Sequence, residues 1–281
     1  MKILVTGAKG MLGADLCREL AGGHQVTGID VQEVDLVSAD AIERLVGYDP
    51  EIILHCAAMT NVDGCEKDPD AAYAVNGRGT RNVALAARQL DIPMLYISTD
   101  FVFDGKKGEP YCEWDQPSPL GHYGRSKLDG ENSVRELLKK FYIVRTSWLY
   151  GKQGRNFIST ILAKAKEAGT IKVVNDQVGS PTYARDLCRA LARLIASDKY
   201  GTYHLSNSGA CSWYDFARKA VEMSGIKSAV SPIASSEYPT PTTRPSYSVL
   251  RNFCWERTFG ETLRPWEEGL RDYLKETGDI K

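Results

Sequence analysis

The sequence predicts an α/β protein: a Rossmann-type, doubly wound parallel sheet followed by a smaller, partly irregular C-terminal lobe. Three observations support this prediction. Short segments rich in Ile, Val and Leu alternate with longer helical patterns through the first half of the chain. A glycine-rich turn follows the first apolar segment, and a stretch rich in Ser, Thr and Pro breaks the periodic pattern late in the chain. Apolar segments without strict alternation are typical of strands that are buried on both faces of a parallel sheet.

Strands and helices alternate in the first half. The predicted strands are residues 2–6, 25–29, 52–55, 94–98 and 142–146. The predicted helices between them are residues 11–21, 38–46, 71–89 and 120–140. Because crossovers between parallel strands are right-handed, we expect a ligand at the carboxyl ends of these strands.

The second half has a looser pattern. Predicted helices are residues 156–168, 184–196, 212–224 and 265–275, and predicted strands are residues 171–174 and 202–205. Residues 228–245 are too rich in Ser, Thr and Pro for a regular helix. We therefore expect a dinucleotide-binding domain over residues 1–150 and a mainly substrate-binding lobe over residues 151–281. The lobe would be discontinuous, because elements near 171–205 are expected to rejoin the sheet.

Charge and hydropathy exclude several classes of protein. The 281 residues contain 35 Lys and Arg against 36 Asp and Glu, whereas a protein that wraps nucleic acid needs a marked basic excess. No apolar run approaches the roughly 18 residues of a membrane span. The N-terminal residues become glycine-rich too early for a signal peptide. We expect a cytoplasmic protein with neither a membrane nor a nucleic acid as partner.

The cysteine pattern favours free thiols. Seven Cys and four His residues are scattered along the chain, and no Cys-x-x-Cys pair occurs. Zinc sites and disulfide frameworks have closer, paired spacing. We expect reduced cysteines and no metal site.

A phosphate-binding turn is predicted at the start of the chain. Gly7, Gly10 and Gly13 follow the first strand and open the first helix. Glycines there permit close approach of a pyrophosphate, and the helix N-terminus offers free N–H groups. Asp30 ends the second strand, where an acid hydrogen-bonds an adenosine ribose. Lys9 lies within the turn and would neutralise a 2′-phosphate, so NADH and NADPH both remain open as the cofactor.

A proton-transfer pair is predicted on the fourth helix. Tyr123 and Lys127 are four residues apart, so a helix places them on one face. A lysine charge favours the phenolate, and we expect it to lower the tyrosine pKa. Ser98 and Thr99 end the preceding strand, where a hydroxyl would hydrogen-bond the substrate oxygen that the tyrosine protonates.

These motifs together resemble an extended short-chain dehydrogenase/reductase, and within that superfamily the dTDP-4-dehydrorhamnose reductase family. The resemblance covers the whole chain. Its finer matches are NGRGTRN at 76–82, STDFVFDG at 98–105, RTSWLYG at 145–151, DQVGSPT at 176–182 and the segment 244–250.

The resemblance implies a role for each matching residue. The implied catalytic triad is Thr99, Tyr123 and Lys127. The implied cofactor-binding residues are Gly7, Gly10, Met11, Leu12, Asp30, Asp35, Leu36, Cys56, Ala57, Ala58, Tyr123 and Lys127. The implied substrate-binding residues are Val62, Asp63, Thr99, Trp148, Asn156, Gln177, Thr182 and Arg244.

Some of these positions also have structural interpretations. Asn76 would serve equally as a hydrogen-bonding brace, and Trp148 as part of a core. Arg244 would fit a solvated loop, although a guanidinium fork suits a diphosphate. Asp100 would fit a turn, and its role stays open. Phe101 stands where many family members have Tyr.

The resemblance implies an NAD(P)H-dependent reductase that converts the C4 keto group of dTDP-4-dehydro-L-rhamnose and yields dTDP-L-rhamnose. One alternative is a nucleotide-sugar epimerase or dehydratase of the same superfamily. Phe101 counts against a dehydratase, because it occupies the position where a second acid is expected beside Asp100. Another alternative is a non-catalytic subunit like the regulatory subunit of methionine adenosyltransferase. The resemblance also allows a homodimer, and Mg²⁺ binding as in some members, although the sequence reveals no acidic cluster for the metal.

Overall fold

A six-stranded parallel sheet forms the centre of the molecule in a computed structural model, which describes residues 1–280. The six strands are β1 (Lys2–Thr6), β2 (Gln25–Ile29), β3 (Ile52–His55), β4 (Met94–Thr99), β5 (Phe141–Thr146) and β10 (Gly201–His204). Their order in the sheet is β10-β5-β4-β3-β1-β2. The predicted fold class is confirmed.

The order of the strands reverses between β1 and β3, because β2 lies on one side of β1 and all later strands lie on the other. The register aligns Thr6 with His55 and with Ile29, so the three strands end together. A crevice at the carboxyl edge of such a switch point is where open α/β sheets bind ligands.

Helices cover both faces of the sheet. Those of the first half are α1 (Met11–Leu20), α2 (Ala41–Val46), α3 (Val62–Lys67), α4 (Pro69–Ala72), α5 (Thr80–Gln89) and α6 (His122–Leu137). Helix α1 buries Leu12, Leu16 and Leu20, which are spaced four residues apart and pack against the sheet together with residues of a later helix. Each such fully buried leucine contributes about 1.5–3 kcal/mol to folding.

The single helix predicted over 71–89 is interrupted in the structure. A π-helical segment, Tyr73–Gly79, separates α4 from α5. Asn76 lies within it and is completely buried. Its side chain donates to the Met59 carbonyl and the Ser126 hydroxyl and accepts from the Met59 N–H. These three hydrogen bonds support the interpretation of Asn76 as a structural brace.

A second, smaller core lies in the later half, among residues of α7, α9 and α11. The helices of this half are α7 (Phe157–Glu167), α8 (Ala184–Ile195), α9 (Trp213–Met223), α10 (Phe253–Phe259) and α11 (Trp266–Thr277). The minor strands are β6 (Leu149–Tyr150), β7 (Thr170–Val174), β8 (Val178–Gly179), β9 (Thr182–Tyr183), β11 (Cys211–Ser212) and β12 (Ala229–Ile233). Three short pairings connect them: β6 with β9, β7 with β12, and β8 with β11.

Several elements of this half were not predicted, among them helix α10 and the strands β8, β9, β11 and β12. Strand β12 lies within the stretch that was predicted not to form a regular helix, and it pairs with β7 in its own two-stranded sheet. Pro232 is part of this strand, which is possible because a proline is tolerated where its missing N–H faces no partner strand. Helix α10 was not predicted, because its seven residues bury only Trp255 and produce no helical pattern. Strand β10, from the later half of the chain, lies beside β5 in the central sheet. The exact division of the chain into two lobes stays a prediction.

Among residues 1–280, no helix combines the length and the apolar character needed to cross a membrane.

Candidate active site

A cavity of about 940 Å³ opens at the carboxyl ends of the central strands. It extends from the glycine turn after β1 to the later half of the chain, where Trp148, Gln177 and Arg244 line it. The predicted site residues line this cavity, with two exceptions, Asp63 and Thr182. The fold therefore brings together residues that are more than 200 positions apart in the sequence.

The glycine turn packs closely against neighbouring backbone and leads into the uncapped N-terminus of α1. Gly7 has φ +70°, and a Cβ there would lie 2.7 Å from the Ala57 backbone. A Cβ at Gly13 would lie 2.1 Å from the Gly7 carbonyl oxygen. Gly10 precedes the first residue of α1, whose initial N–H groups face the cavity end without a side-chain cap. These features fit a pyrophosphate, which the N–H groups and the positive end of the helix dipole would bind.

The far end of this cavity carries opposing charges. Asp30 lines it and accepts hydrogen bonds from the N–H groups of Lys9, at 3.0 Å, and Val31, at 2.9 Å. The Lys9 ammonium donates to the Gln32 amide oxygen at 2.8 Å and pairs with Glu33 at 3.1 Å. Glu33 was not predicted as a site residue. It offsets the lysine charge that we expected to oppose Asp30, and its only sequence signal is its place just after β2.

Thr99, Tyr123 and Lys127 all line this cavity. Thr99 is the last residue of β4, and Tyr123 and Lys127 follow each other by one turn on α6. Helix α6 begins close to the turn that follows β4 because Gly124 has no side chain: a Cβ there would lie 2.1 Å from the Phe101 carbonyl oxygen. The Lys127 ammonium lies 4.2 Å from the centre of the Tyr96 ring, a cation–π contact.

The pKa values of this group differ from the sequence-based expectation. Burial raises the pKa of Tyr123 above its ordinary value; the nearby Thr99 hydroxyl opposes this effect and the Asp100 carboxylate adds to it. Burial lowers the pKa of Lys127 to about 7, against the opposing charge of Glu131. The expected lowering of the tyrosine pKa by Lys127 is therefore wrong for this arrangement, because desolvation dominates. A raised pKa keeps the phenol protonated, as a proton donor must be.

An aromatic wall closes the other side of the cavity. The Trp148 indole stacks on Trp213, with ring centroids 3.5 Å apart. Trp148 has φ +48°, an uncommon conformation for a bulky residue. Gly179 lies against the indole and has no room for a Cβ, which would come within 2.5 Å of the ring. Trp213, at the start of α9, was not predicted as a site residue.

Three other predicted substrate residues have partners within the protein. Asn156 caps α7, accepts from the Ser159 N–H, and donates to the Gly151 carbonyl at 2.8 Å. Gln177 lines the cavity and donates to the Ser235 hydroxyl at 2.8 Å. Thr182 is completely buried outside the cavity lining and pairs in β9 with β6. The structure therefore does not bring the Thr182 side chain to the cavity.

Arg244 and Asp63 form an ion pair at the mouth of the cavity. The Arg244 guanidinium donates to the Asp63 carboxylate at 3.2 Å. Arg244 lines the cavity, whereas Asp63 does not. Arg155, which sequence analysis missed, also lines the cavity. No signal in the short loop that carries Arg155 separates it from an ordinary surface arginine.

Within residues 1–280, no group of three or more His, Cys, Asp or Glu side chains is placed to hold a metal ion.

Comparison with known proteins identifies the family. The family model described as the RmlD substrate binding domain matches residues 1–278. The chain belongs to this family. Membership of the RmlD family confirms the resemblance that the glycine turn and the Tyr-x-x-x-Lys pair indicated.

Individual relatives extend the match over the whole chain. The spore coat polysaccharide biosynthesis protein SpsK of Bacillus subtilis (strain 168) is 43% identical over 277 residues, which are 98% of this chain and 97% of that protein. A dTDP-4-dehydrorhamnose reductase of Sinorhizobium fredii is 38% identical over 283 residues, 96% of each chain. The crystal structure of dTDP-4-dehydrorhamnose reductase from Bacillus anthracis str. Ames in complex with NADP has a TM-score of 0.95 at 41% identity, covering 98% of this RmlD-family chain and 99% of that one.

Proposed function

We propose that this RmlD-family protein is an NAD(P)H-dependent oxidoreductase that reduces the C4 keto group of dTDP-4-dehydro-L-rhamnose to give dTDP-L-rhamnose, a polysaccharide precursor. The observation that carries the proposal is one cavity that joins the glycine turn to Thr99, Tyr123 and Lys127 and continues to Arg244. The full-length similarity to dTDP-4-dehydrorhamnose reductases supports the same substrate.

The reaction follows from the residues at the centre of the cavity. A bound reduced nicotinamide cofactor supplies the hydride. Tyr123 donates its phenolic proton to the developing alkoxide at C4, and its raised pKa keeps that proton in place until it is needed. Thr99 holds the phenol in position, and Lys127 contributes positive charge beside it.

Either nicotinamide cofactor is expected to support turnover. Asp30 favours a free ribose 2′-hydroxyl, and the Lys9 ammonium favours a 2′-phosphate. Glu33 neutralises part of the lysine charge in this structure, so neither preference is strong. The glycine turn, with Met11, Leu12 and the segment Cys56, Ala57 and Ala58, supplies the walls of the cofactor end.

The sugar nucleotide is proposed to occupy the remainder of the cavity. Trp148 offers an apolar face to the deoxysugar, and Arg244 offers a guanidinium to the diphosphate. Binding of the diphosphate would exchange the Asp63 carboxylate for phosphate oxygens, which are equally suited to the guanidinium fork. Gln177 and Val62 complete this end of the lining.

Turnover with dTDP-4-dehydro-L-rhamnose tests the proposal. We expect the purified chain alone to oxidise one NAD(P)H per sugar and to release dTDP-L-rhamnose. An epimerase that oxidises and then reduces its substrate consumes no cofactor overall, and a regulatory subunit has no effect without a partner. Absence of cofactor oxidation, in a preparation shown to bind NADPH, would overturn the proposal.

Three further expectations stay predictions: the division near residue 150, a cytoplasmic location and a homodimeric assembly. Size-exclusion chromatography with light scattering tests the assembly.

A further inference from the structure

A chain of three buried side chains leads from the C-terminal lobe to the reacting centre. The Ser248 hydroxyl donates to one oxygen of the Asp100 carboxylate at 2.5 Å. The Thr99 hydroxyl donates to the other carboxylate oxygen at 3.1 Å. Ser248 and Asp100 are each 2% exposed and Thr99 is 5% exposed. All three side chains line the cavity but are almost fully shielded from solvent.

The hydrogen bonds define the orientation of the Thr99 hydroxyl. Its single proton points to Asp100, and its oxygen accepts from the Phe101 N–H at 3.2 Å. One lone pair of the oxygen is left for the side that faces Tyr123. A threonine without the carboxylate would be free to rotate about χ1 or to turn its proton toward the cavity, since three staggered positions are open to it.

We propose that Asp100 and Ser248 are positioning residues for the reduction: Ser248 fixes the Asp100 carboxylate, and that carboxylate fixes the Thr99 hydroxyl beside Tyr123. This inference rests on the proposed function only for its effect on turnover. Within residues 1–280 the buried Asp100 carboxylate has no ion-pair partner, and such a carboxylate is retained at a cost that two hydroxyl donors partly offset. A purely structural turn would need neither the burial nor the serine from a distant segment.

The segment that supplies Ser248 also carries Arg244, which lines the cavity four residues earlier. Ser248 is held by its backbone as well: its N–H donates to the Val178 carbonyl at 2.8 Å. The position of the catalytic threonine is thus tied to the lobe that receives the sugar nucleotide.

Protonation of Asp100 would loosen the orientation of the threonine, because a neutral carboxyl accepts hydrogen bonds more weakly than a carboxylate and can donate its own proton to one of the two hydroxyls. Burial raises the pKa of Asp100 to about 6, while the Ser248 and Thr99 hydroxyls act in the opposite direction. Asp100 interacts electrostatically with Tyr123 on α6, and the charged residues Lys127 and Arg244 line the same cavity. Lys127 has a pKa of about 7, so the test must separate its titration from that of Asp100.

The first measurement uses the free enzyme and needs no substrate. Carbon-13 NMR of labelled aspartate carboxyls follows their titration in the wild type, in Ser248→Ala and in a matched control, Ser246→Ala. The Ser246 hydroxyl donates to the Gly105 carbonyl and not to a carboxylate. We expect one carboxyl to titrate near pH 6, its midpoint to rise by about one pH unit in Ser248→Ala, and the control to match the wild type. Asp100→Asn removes this resonance. An unchanged midpoint in Ser248→Ala would overturn the inference.

The second measurement is the pH profile of kcat. In Ser248→Ala we expect kcat at neutral pH to fall roughly tenfold, with the KM for NADPH unchanged and the acidic limb moved to higher pH. In Asp100→Asn the limb that belongs to Asp100 disappears while that of Lys127 remains. A limb that stays in place in both variants would contradict the inference. Failure of the wild type to turn over dTDP-4-dehydro-L-rhamnose would instead contradict the proposed function, and the NMR titration would still decide this inference.

Discussion

The Trp148 and Trp213 indoles lie face to face, with their ring planes inclined by 6° and their centroids 3.5 Å apart. Trp148 follows β5 in a left-handed backbone conformation, and Trp213 begins α9. The contact joins the central sheet to the second core. It fixes the wall of the cavity that we propose for the deoxysugar.

Gly179→Ala tests this wall. The new methyl carbon would lie within 2.5–2.8 Å of three atoms of the Trp148 indole, so the ring must move. We expect the KM for the sugar nucleotide to rise roughly tenfold, with a change in tryptophan fluorescence and little change in the KM for NADPH. Gly169→Ala is the matched control, because its methyl would meet no atom within 4 Å. Equal kinetics of the two variants would contradict a role for the stacked pair in substrate binding.

Tyr123→Phe tests the proton donor. The substitution keeps the ring packing, including the edge-to-face contact with Phe101, but removes the proton. We expect kcat to fall by ~100- to ~10,000-fold, the usual contribution of a general acid, while NADPH affinity measured by calorimetry stays nearly unchanged. Tyr200→Phe serves as the control, because Tyr200 lies just before β10 and does not line the cavity. A variant that keeps more than about half of the wild-type kcat would remove Tyr123 from the acid role.

Glu33→Gln tests cofactor selection. The substitution removes the charge that offsets Lys9, so the ammonium becomes more available to a 2′-phosphate. We expect the ratio of kcat/KM for NADPH to that for NADH to rise roughly threefold, a size typical of an exposed ion pair. Lys9→Ala should lower the same ratio. Glu51→Gln is the control, since Glu51 lies just before β3, at the amino ends of the strands and away from the cavity. If all three variants keep the wild-type ratio, neither side chain senses the 2′-phosphate.

Glu131→Gln tests the buried charge cluster behind the site. Glu131 is completely buried and accepts two hydrogen bonds from Arg145 at 2.8 Å each. Burial would raise its pKa, but the hydrogen bonds and charge of Arg145, with the charge of Arg135, lower it to about 2. The substitution leaves the Arg145 charge uncompensated, so we expect the free energy of unfolding to fall by about 3–5 kcal/mol at pH 7.

The pH dependence of this effect has a defined direction. Because the pKa of Glu131 is depressed in the folded state, its contribution is fully present above the ordinary pKa of 4.5 and is lost as the pH falls toward 2. Urea unfolding at pH 7 and pH 3 should therefore show a smaller difference between variant and wild type at pH 3. Glu136→Gln, which removes an exposed ion pair with Arg81, should change stability by less than ~1 kcal/mol. A similarly small loss in Glu131→Gln would contradict the buried-pair account.

The central sheet could be predicted from the sequence because its determinants are local. The buried strands β1 and β3 are rich in Ile, Leu and Val, and Gly7 marks the end of β1 and Asp30 the end of the more exposed edge strand β2. The strands β1, β2 and β3 have the predicted bounds. Strand β12 and helix α10 were not predictable, since their stability comes from pairing with β7 and from the burial of Trp255 rather than from a periodic pattern.

The sequence by itself determined the glycine turn and the Tyr123–Lys127 pair, because both depend on spacing within one βα unit or one helical turn. Only the tertiary structure decided which other residues meet them. Thr182 is buried away from the cavity, and Asn156 caps helix α7. Glu33 pairs with Lys9, and Ser248 donates a hydrogen bond to Asp100. The physical reason is that hydrogen bonds and desolvation act over a few ångströms, and distances between residues 148 positions apart in the chain are set by packing alone.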